Sequence, residues 1–160
     1  MRYLRNQGRL SSGTFVHPEI GYNFRITDMQ AALGLSQLSK LPHIIERKTW
    51  LAERYRHYLG DAVEFLTIRD DFSYIPFRVV AFVDNAAGVM ESMLTEEVEP
   101  RSMFVPMHMQ PCYEYLGYTP EEFPMAEAAF ARGMCLPTWV GMTEEMIEHT
   151  SQSLLRAIGA

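Results

Sequence analysis

Apolar and polar positions follow a helical period through the first third of the chain. Thr27 followed by Gln30 fits a capping box, and Asp28 falls in the first turn, where a carboxylate favours the helix dipole. Met29, Ala32, Leu33 and Leu41 then recur at helical spacings. Pro42 cannot donate an interior helical hydrogen bond, so the pattern predicts either a kink at that residue or a second helix beginning there. Ile44, Leu51, Tyr55, Tyr58 and Leu59 mark one apolar face, with Glu46, Arg47, Glu53, Arg54 and Arg56 on the wetter sides. Gly60 and Asp61 end the stretch.

Beyond Gly60 the texture becomes mixed. "SYIPFRVVAFVD" is rich in aromatic and β-branched residues between turn formers, which predicts a strand, with Pro76 placing it at an edge or at the strand's beginning. Residues 86–98 read as a helix with Val89, Met93 and Leu94 on one side. "PRSMFVPMH" reads as a short strand ending at Pro106, and residues 111–124 as a loop-rich excursion with Tyr113, Tyr115 and Tyr118 as aromatic anchors. Residues 125–134 read as a helix, "CLPTWVG" as a short strand or turn, and 143–158 as a closing amphipathic helix capped by Thr143 and led by Glu144 and Glu145. Strands interleaved with helices imply a two-layer α+β arrangement of the α/β class, a small sheet covered by helices.

Composition narrows the function classes. A chain of 160 residues with 48% hydrophobic content can bury about two-thirds of its unfolded surface and is expected to be a soluble globule. The net charge of -6, with no dense run of Lys or Arg, argues against nucleic acid as a partner. No apolar window approaches the roughly 20 residues of a membrane span, and "MRYLRNQGRLSSG" lacks the apolar run of a signal peptide. No membrane partner is expected, and the expected compartment is cytoplasmic. Cys112 and Cys135 are too few for a disulfide framework and read as reduced structural thiols.

Several side chains offer chemistry, and each has a plain structural alternative. Asn23, in "GYNFR", can donate its amide to a phosphate oxygen, or can bond locally in an unusual turn. Arg25 presents a planar fork that suits phosphate or carboxylate, or can pair with Asp28 or Glu19. Tyr22 can line the same surface or simply pack. His108 can bond a sugar or phosphate oxygen, or a backbone group in its Pro-restrained loop. His108 with Cys112 and Cys135 lacks a convincing fourth ligand, so no metal site is assigned. Met103, Met107 and Met109 read as gap fillers, Glu96, Glu97 and Glu99 as a solvated helix end, and Glu121 with Glu122 carries no assigned chemistry. The only lysines, Lys40 and Lys48, sit among polar neighbours and read as solvated helix faces.

"LRNQG", "GYNFRITDMQAALGLSQL", "FVPMHMQPCYEYLGY" and "FPMAEAAFARGMCLPTWVGMTEEM" occur in this order, and together they make the chain resemble the C-terminal part of the DegT/StrS family of nucleotide-sugar aminotransferases. These are pyridoxal-phosphate (PLP) enzymes of fold type I. The resemblance implies residues 1–60 as a remnant of the large domain with interface helices, and 61–160 as the small C-terminal α/β domain, joined in one compact unit. It implies Asn23 as a contact to the PLP phosphate of a neighbouring subunit, and Tyr22, Arg25 and His108 as substrate-binding residues. The family's Schiff-base lysine, ring stacker and pyridinium carboxylate lie upstream of the segment that "LRNQG" resembles, so no catalytic residue is assigned here. The complete enzyme is expected to use PLP, glutamate and a keto-sugar nucleotide, and this chain alone to hold no cofactor and to be inactive. A non-catalytic interaction or scaffold module that keeps the fold is the alternative. Apolar helix faces left without the large domain predict a homo-oligomer or a partner large domain as their cover.

Overall fold

The computed structural model describes residues 1–10, 13, 15–119 and 122–160. Glu121 therefore lies outside the described residues. The chain divides into two compact units, Met1–Pro42 and His43–Ala160, where the sequence led us to expect one. The division comes before residue 60 because the second half of the long helix packs into the core of the downstream sheet and helices.

In the first unit a single turn of helix, α1 (Arg2–Arg5), leads to an isolated antiparallel bridge between Asn6 and Asn23. Three main-chain bonds hold the crossing: Tyr22 N–H to Leu4 O at 2.7 Å, Gln7 N–H to Tyr22 O at 3.0 Å, and Phe24 N–H to Arg5 O at 3.1 Å. The long helix α2 (Asp28–Leu59) then begins at the expected capping box. Gln30 N–H donates to Thr27 Oγ1 at 3.3 Å, and Thr27 N–H donates to Gln30 Oε1 at 2.9 Å. No second helix begins at Pro42, which lies inside α2. The proline leaves the Leu38 carbonyl without its helical donor, but both residues are exposed, so water can serve that oxygen.

The second unit is a four-stranded antiparallel sheet with helices. Strands β1 (Glu64–Phe65), β2 (Val79–Phe82), β3 (Arg101–Ser102) and β4 (Gly133–Leu136) lie in the order β1-β2-β4-β3. The central pair registers Val79 on Leu136, Val80 on Cys135, Ala81 on Met134 and Phe82 on Gly133. Helices α3 (Ala86–Leu94), α4 (Pro124–Arg132) and α5 (Glu144–Ile158) complete the unit. Val79, Ala81, Met134 and Leu136 project into a core shared with Val89, Met93, Ile147 and Leu154. Leu51, Ala52, Tyr55 and Leu59 of α2 enter the same core, so the 44–59 face finds its cover within this chain. Val80 and Cys135 are buried as well, which explains why this strand pair reads as continuous apolar sequence rather than as alternation.

Several elements are shorter than the sequence pattern predicts, for identifiable reasons. Only Val79–Phe82 of "SYIPFRVVAFVD" joins the sheet, since Pro76 has no N–H to give a ladder. The edge strand β3 stops at Ser102, well short of Pro106. Helix α3 ends at Leu94 because Glu97 takes a left-handed φ of 62°, and Val98 N–H closes back on Met93 O at 3.1 Å. A left-handed glutamate gives no sequence signal of the kind a glycine would. Helix α4 stops before Gly133, where a side chain would strike Met103 and the Ala129 carbonyl, and the next four residues pair as β4. The 111–124 excursion contains a 3₁₀ helix, Pro111–Leu116, and Tyr115 is 79% exposed, so that ring anchors nothing. Helix α5 is capped as expected, with Thr143 Oγ1 accepting from Met146 N–H at 3.3 Å.

Candidate functional site

The "GYNFR" turn owes its shape to two glycines. Gly8 has φ of 69°, and a Cβ there would strike the Glu19 carbonyl; a Cβ on Gly21 would strike the backbone of Gln7 and Gly8. Only glycine lets the two strands of the crossing approach this closely. Asn23 comes next but one, exposed, with its backbone fixed by the bridge to Asn6. Among the described residues its side-chain amide makes no hydrogen bond.

Arg25 sits two residues on. Among the described residues it pairs with neither Asp28 nor Glu19; its Nη1 donates to Asn6 Oδ1 at 3.3 Å. A neutral amide leaves the guanidinium charge uncompensated, so the fork keeps its capacity for an anion. Asn6 is the residue that sequence reasoning missed, although it lies within "LRNQG". Tyr22 stacks on Phe24 with ring centroids 5.0 Å apart and an interplanar angle of 6°, both rings exposed. On this extended segment side chains alternate, so Asn23 and Arg25 share one face while Tyr22 lies with Phe24 on the other, away from the surface the sequence led us to expect it to line.

His108 belongs to the second unit. Pro106 ends the extended segment and a 3₁₀ turn, Met107–Met109, presents the imidazole. Nε2 lies 3.0 Å from Glu127 Oε1 of α4, and the Phe123 ring lies 4.6 Å away, centroid to centroid. The side chain is only 8% exposed. The carboxylate engages Nε2, and among the described residues Nδ1 has no hydrogen-bond partner. A side-chain carboxylate rather than a backbone group therefore orients His108. Glu127 was not singled out from sequence because its partner lies in a different motif. Gln110, Glu114 and Tyr118 join His108 around a cavity of about 260 Å³.

The two lysines differ from their sequence reading in one respect. Lys40 is exposed on α2, as expected. Lys48 is only partly solvated: its ammonium donates to Thr138 O and, at 3.2 Å, to Phe77 O, and burial pushes its pKa down. Its neighbours on α2 act alike. Arg47 donates to Val140 O at 3.2 Å and Met142 O at 2.6 Å, and the Tyr55 hydroxyl donates to Pro137 O at 2.8 Å. Burial raises the Tyr55 pKa, so the phenol remains a donor. Among the described residues no cluster of three or more His, Cys, Asp or Glu is placed to hold a metal, and no helix is long and apolar enough to cross a membrane.

Residues 1–155 match the DegT/DnrJ/EryC1/StrS aminotransferase family. GDP-perosamine synthase of Caulobacter vibrioides is 31% identical over 163 residues, covering 96% of this chain and 43% of that protein. GDP-perosamine synthase of Vibrio cholerae is 28% identical over 151 residues, covering 91% of this chain and 41% of its own length. Among solved structures, DesV of S. venezuelae superposes with a TM-score of 0.88 at 19% identity over 97% of this chain and 42% of that one. PseC of Helicobacter pylori, an aminotransferase involved in the biosynthesis of pseudoaminic acid, gives 0.83 at 21% identity over 99% and 45%. These structural likenesses carry the fold, and the chain spans about two-fifths of the length of the curated relatives it matches. With the family matched across nearly its whole length, the chain belongs to the DegT/DnrJ/EryC1/StrS aminotransferase family.

Proposed function

We propose that this chain is the C-terminal part of a PLP-dependent aminotransferase that converts a keto-sugar nucleotide to an amino-sugar nucleotide with glutamate as nitrogen donor. Residues 1–60 supply large-domain remnant and interface helices, of which 43–59 pack into the core of the small domain formed by 61–160. Two relatives named GDP-perosamine synthase support the sugar-nucleotide class. The observation that carries the reading is Asn23, an exposed amide with a fixed backbone and no side-chain hydrogen bond among the described residues.

The residues present fit PLP in part. Asn23 can donate to a phosphate oxygen, and PLP when bound supplies the electron sink for amino transfer. The imine lysine is a different matter: Lys40 stands in solvent, and Lys48 is tied to two carbonyls of its own unit. Both are poor imine sites, so the lysine comes from a large domain. Arg25 takes an anionic group of the substrate, Tyr22 adds a substrate contact from the other face of the same segment, and Glu127 fixes His108 so that Nδ1 is the ring atom open to a sugar hydroxyl.

Joining this chain behind the upstream part of Vibrio cholerae GDP-perosamine synthase tests the reading. The chimera is expected to show a PLP imine absorption band and aminotransferase activity. Asn23→Ala in it is expected to weaken PLP retention about tenfold, the worth of one hydrogen bond to a charged group. In this chain alone, PLP followed by borohydride is expected to label no lysine. Selective trapping on Lys40 or Lys48 would overturn the assignment of the imine lysine to another domain.

A further inference from the structure

In the second unit, three cationic side chains from different elements line one cavity of about 270 Å³: Lys48 of α2, Arg78 just before β2 and Arg101 of β3. A single carboxylate, Glu99, faces them, and Trp139 forms part of the wall. This excess of positive charge is local, since the whole chain carries -6. The three cations have weak compensation. Lys48 donates only to neutral carbonyls, those of Phe77 and Thr138. Arg101 meets Glu99 at 3.1 Å, but both side chains are about two-thirds exposed, where a pair contributes little. Arg78 has no carboxylate partner among the described residues and lies over the rings of Phe77 and Phe104, 5.4 and 5.2 Å from their centroids.

Of the three cations Lys48 is the one whose charge burial disfavours, and an anion in the cavity would offset that cost while the Arg78 and Arg101 forks hold its oxygens. We propose that this cavity is a binding site for a small oxyanion-bearing molecule, with the Arg78 and Arg101 forks and the Lys48 ammonium on its phosphate or carboxylate oxygens and Trp139 against its apolar part. Guanidinium forks match both oxyanions, and the volume exceeds that of a bare phosphate ion while lying below that of drug-sized pockets. The site uses none of Tyr22, Asn23, Arg25 or His108, so it stands or falls apart from the aminotransferase reading.

The test tracks the Trp139 indole and the amides of Phe77, Arg78 and Arg101 in ¹H–¹⁵N spectra of the full chain, while inorganic phosphate or glutarate is added at constant ionic strength. Saturable shifts confined to these groups are expected, and the tighter of the two probes identifies the ligand as a phosphate or a carboxylate. Arg78→Gln is expected to weaken binding about tenfold, as befits loss of a charge-assisted hydrogen bond. Arg69→Gln removes the same charge from an exposed arginine outside the cavity and is expected to change nothing. Linear, unsaturated shifts with both probes, or equal weakening by the two substitutions, would overturn the proposal.

Discussion

Glu144 occupies the first turn of α5, where it accepts from the Tyr58 hydroxyl at 2.6 Å and from Arg54 Nε at 2.7 Å. These bonds, that of Tyr58 first and that of Arg54 after it, outweigh partial burial and hold the carboxyl below its ordinary value of 4.5. A carboxylate whose pKa is lower folded than unfolded stabilises the fold above the ordinary carboxylate range, and that stabilisation is lost as pH falls through the folded value. Glu144→Gln should lower the melting temperature at neutral pH, and the gap to the unsubstituted chain should narrow as pH falls through and below the ordinary carboxylate range. A gap that stays constant over that range would contradict the assignment. Glu96, held low by Arg156, keeps some acid sensitivity in the variant. At this scale the sequence announces caps and not partners. Thr143 is legible as a helix start, whereas Arg54 and Tyr58 meet Glu144 from 90 and 86 residues away along the chain. The partners of Arg25 and His108 were hidden in the same way.

Helix α2 shows how far a repeating pattern carries and where it stops. Its start is written in Thr27 and Gln30, and its end in Gly60. Its passage through Pro42 depends on exposure, which a periodicity does not report. Because that site is exposed, Pro42→Ala restores a helical N–H without disturbing a core. The propensity difference is about 3 kcal/mol, so the substitution should raise both the urea midpoint and the helical circular dichroism. A lowered midpoint would mean that the proline holds a bend the fold requires. Strands were less legible than helices because β1 and β3 have two residues each, too few to show alternation. Pairing with the central strands, not their own sequence, makes them strands.

The chain as a whole shows an uneven distribution of cover. The second half of α2 buries Leu51, Tyr55 and Leu59, while the first half leaves Met29 84%, Leu33 62% and Leu38 61% exposed. An apolar surface of this kind favours association, and the expected cover is a second copy of the chain or a partner large domain. Sedimentation velocity should show mass rising with concentration, and Leu33→Glu with Leu38→Glu should return the chain to monomer without loss of helix content. A monomer at every concentration would rule out the second copy. The family itself was legible, since four separated motifs fall in one order, and residues 1–155 match it. The two-unit division was not, because it depends on which half of one helix finds a core.

The turn after β4 gives this distribution a further meaning. Its carbonyls at Pro137, Thr138, Val140 and Met142 are all taken by side chains of α2, between 82 and 95 residues away along the chain. Much of what fixes its shape is therefore stored in the helix, with Thr138 adding its hydroxyl, which accepts from Val79 N–H at 3.2 Å and donates to Leu136 O at 2.7 Å. A relative's segment transplanted here would keep the bonds from α2, because carbonyl oxygens are common to every residue, and would need only a hydroxyl at position 138 to keep those of Thr138. A relative's helix without Arg47, Lys48 and Tyr55 would leave the native segment with its own sequence intact and its shape lost.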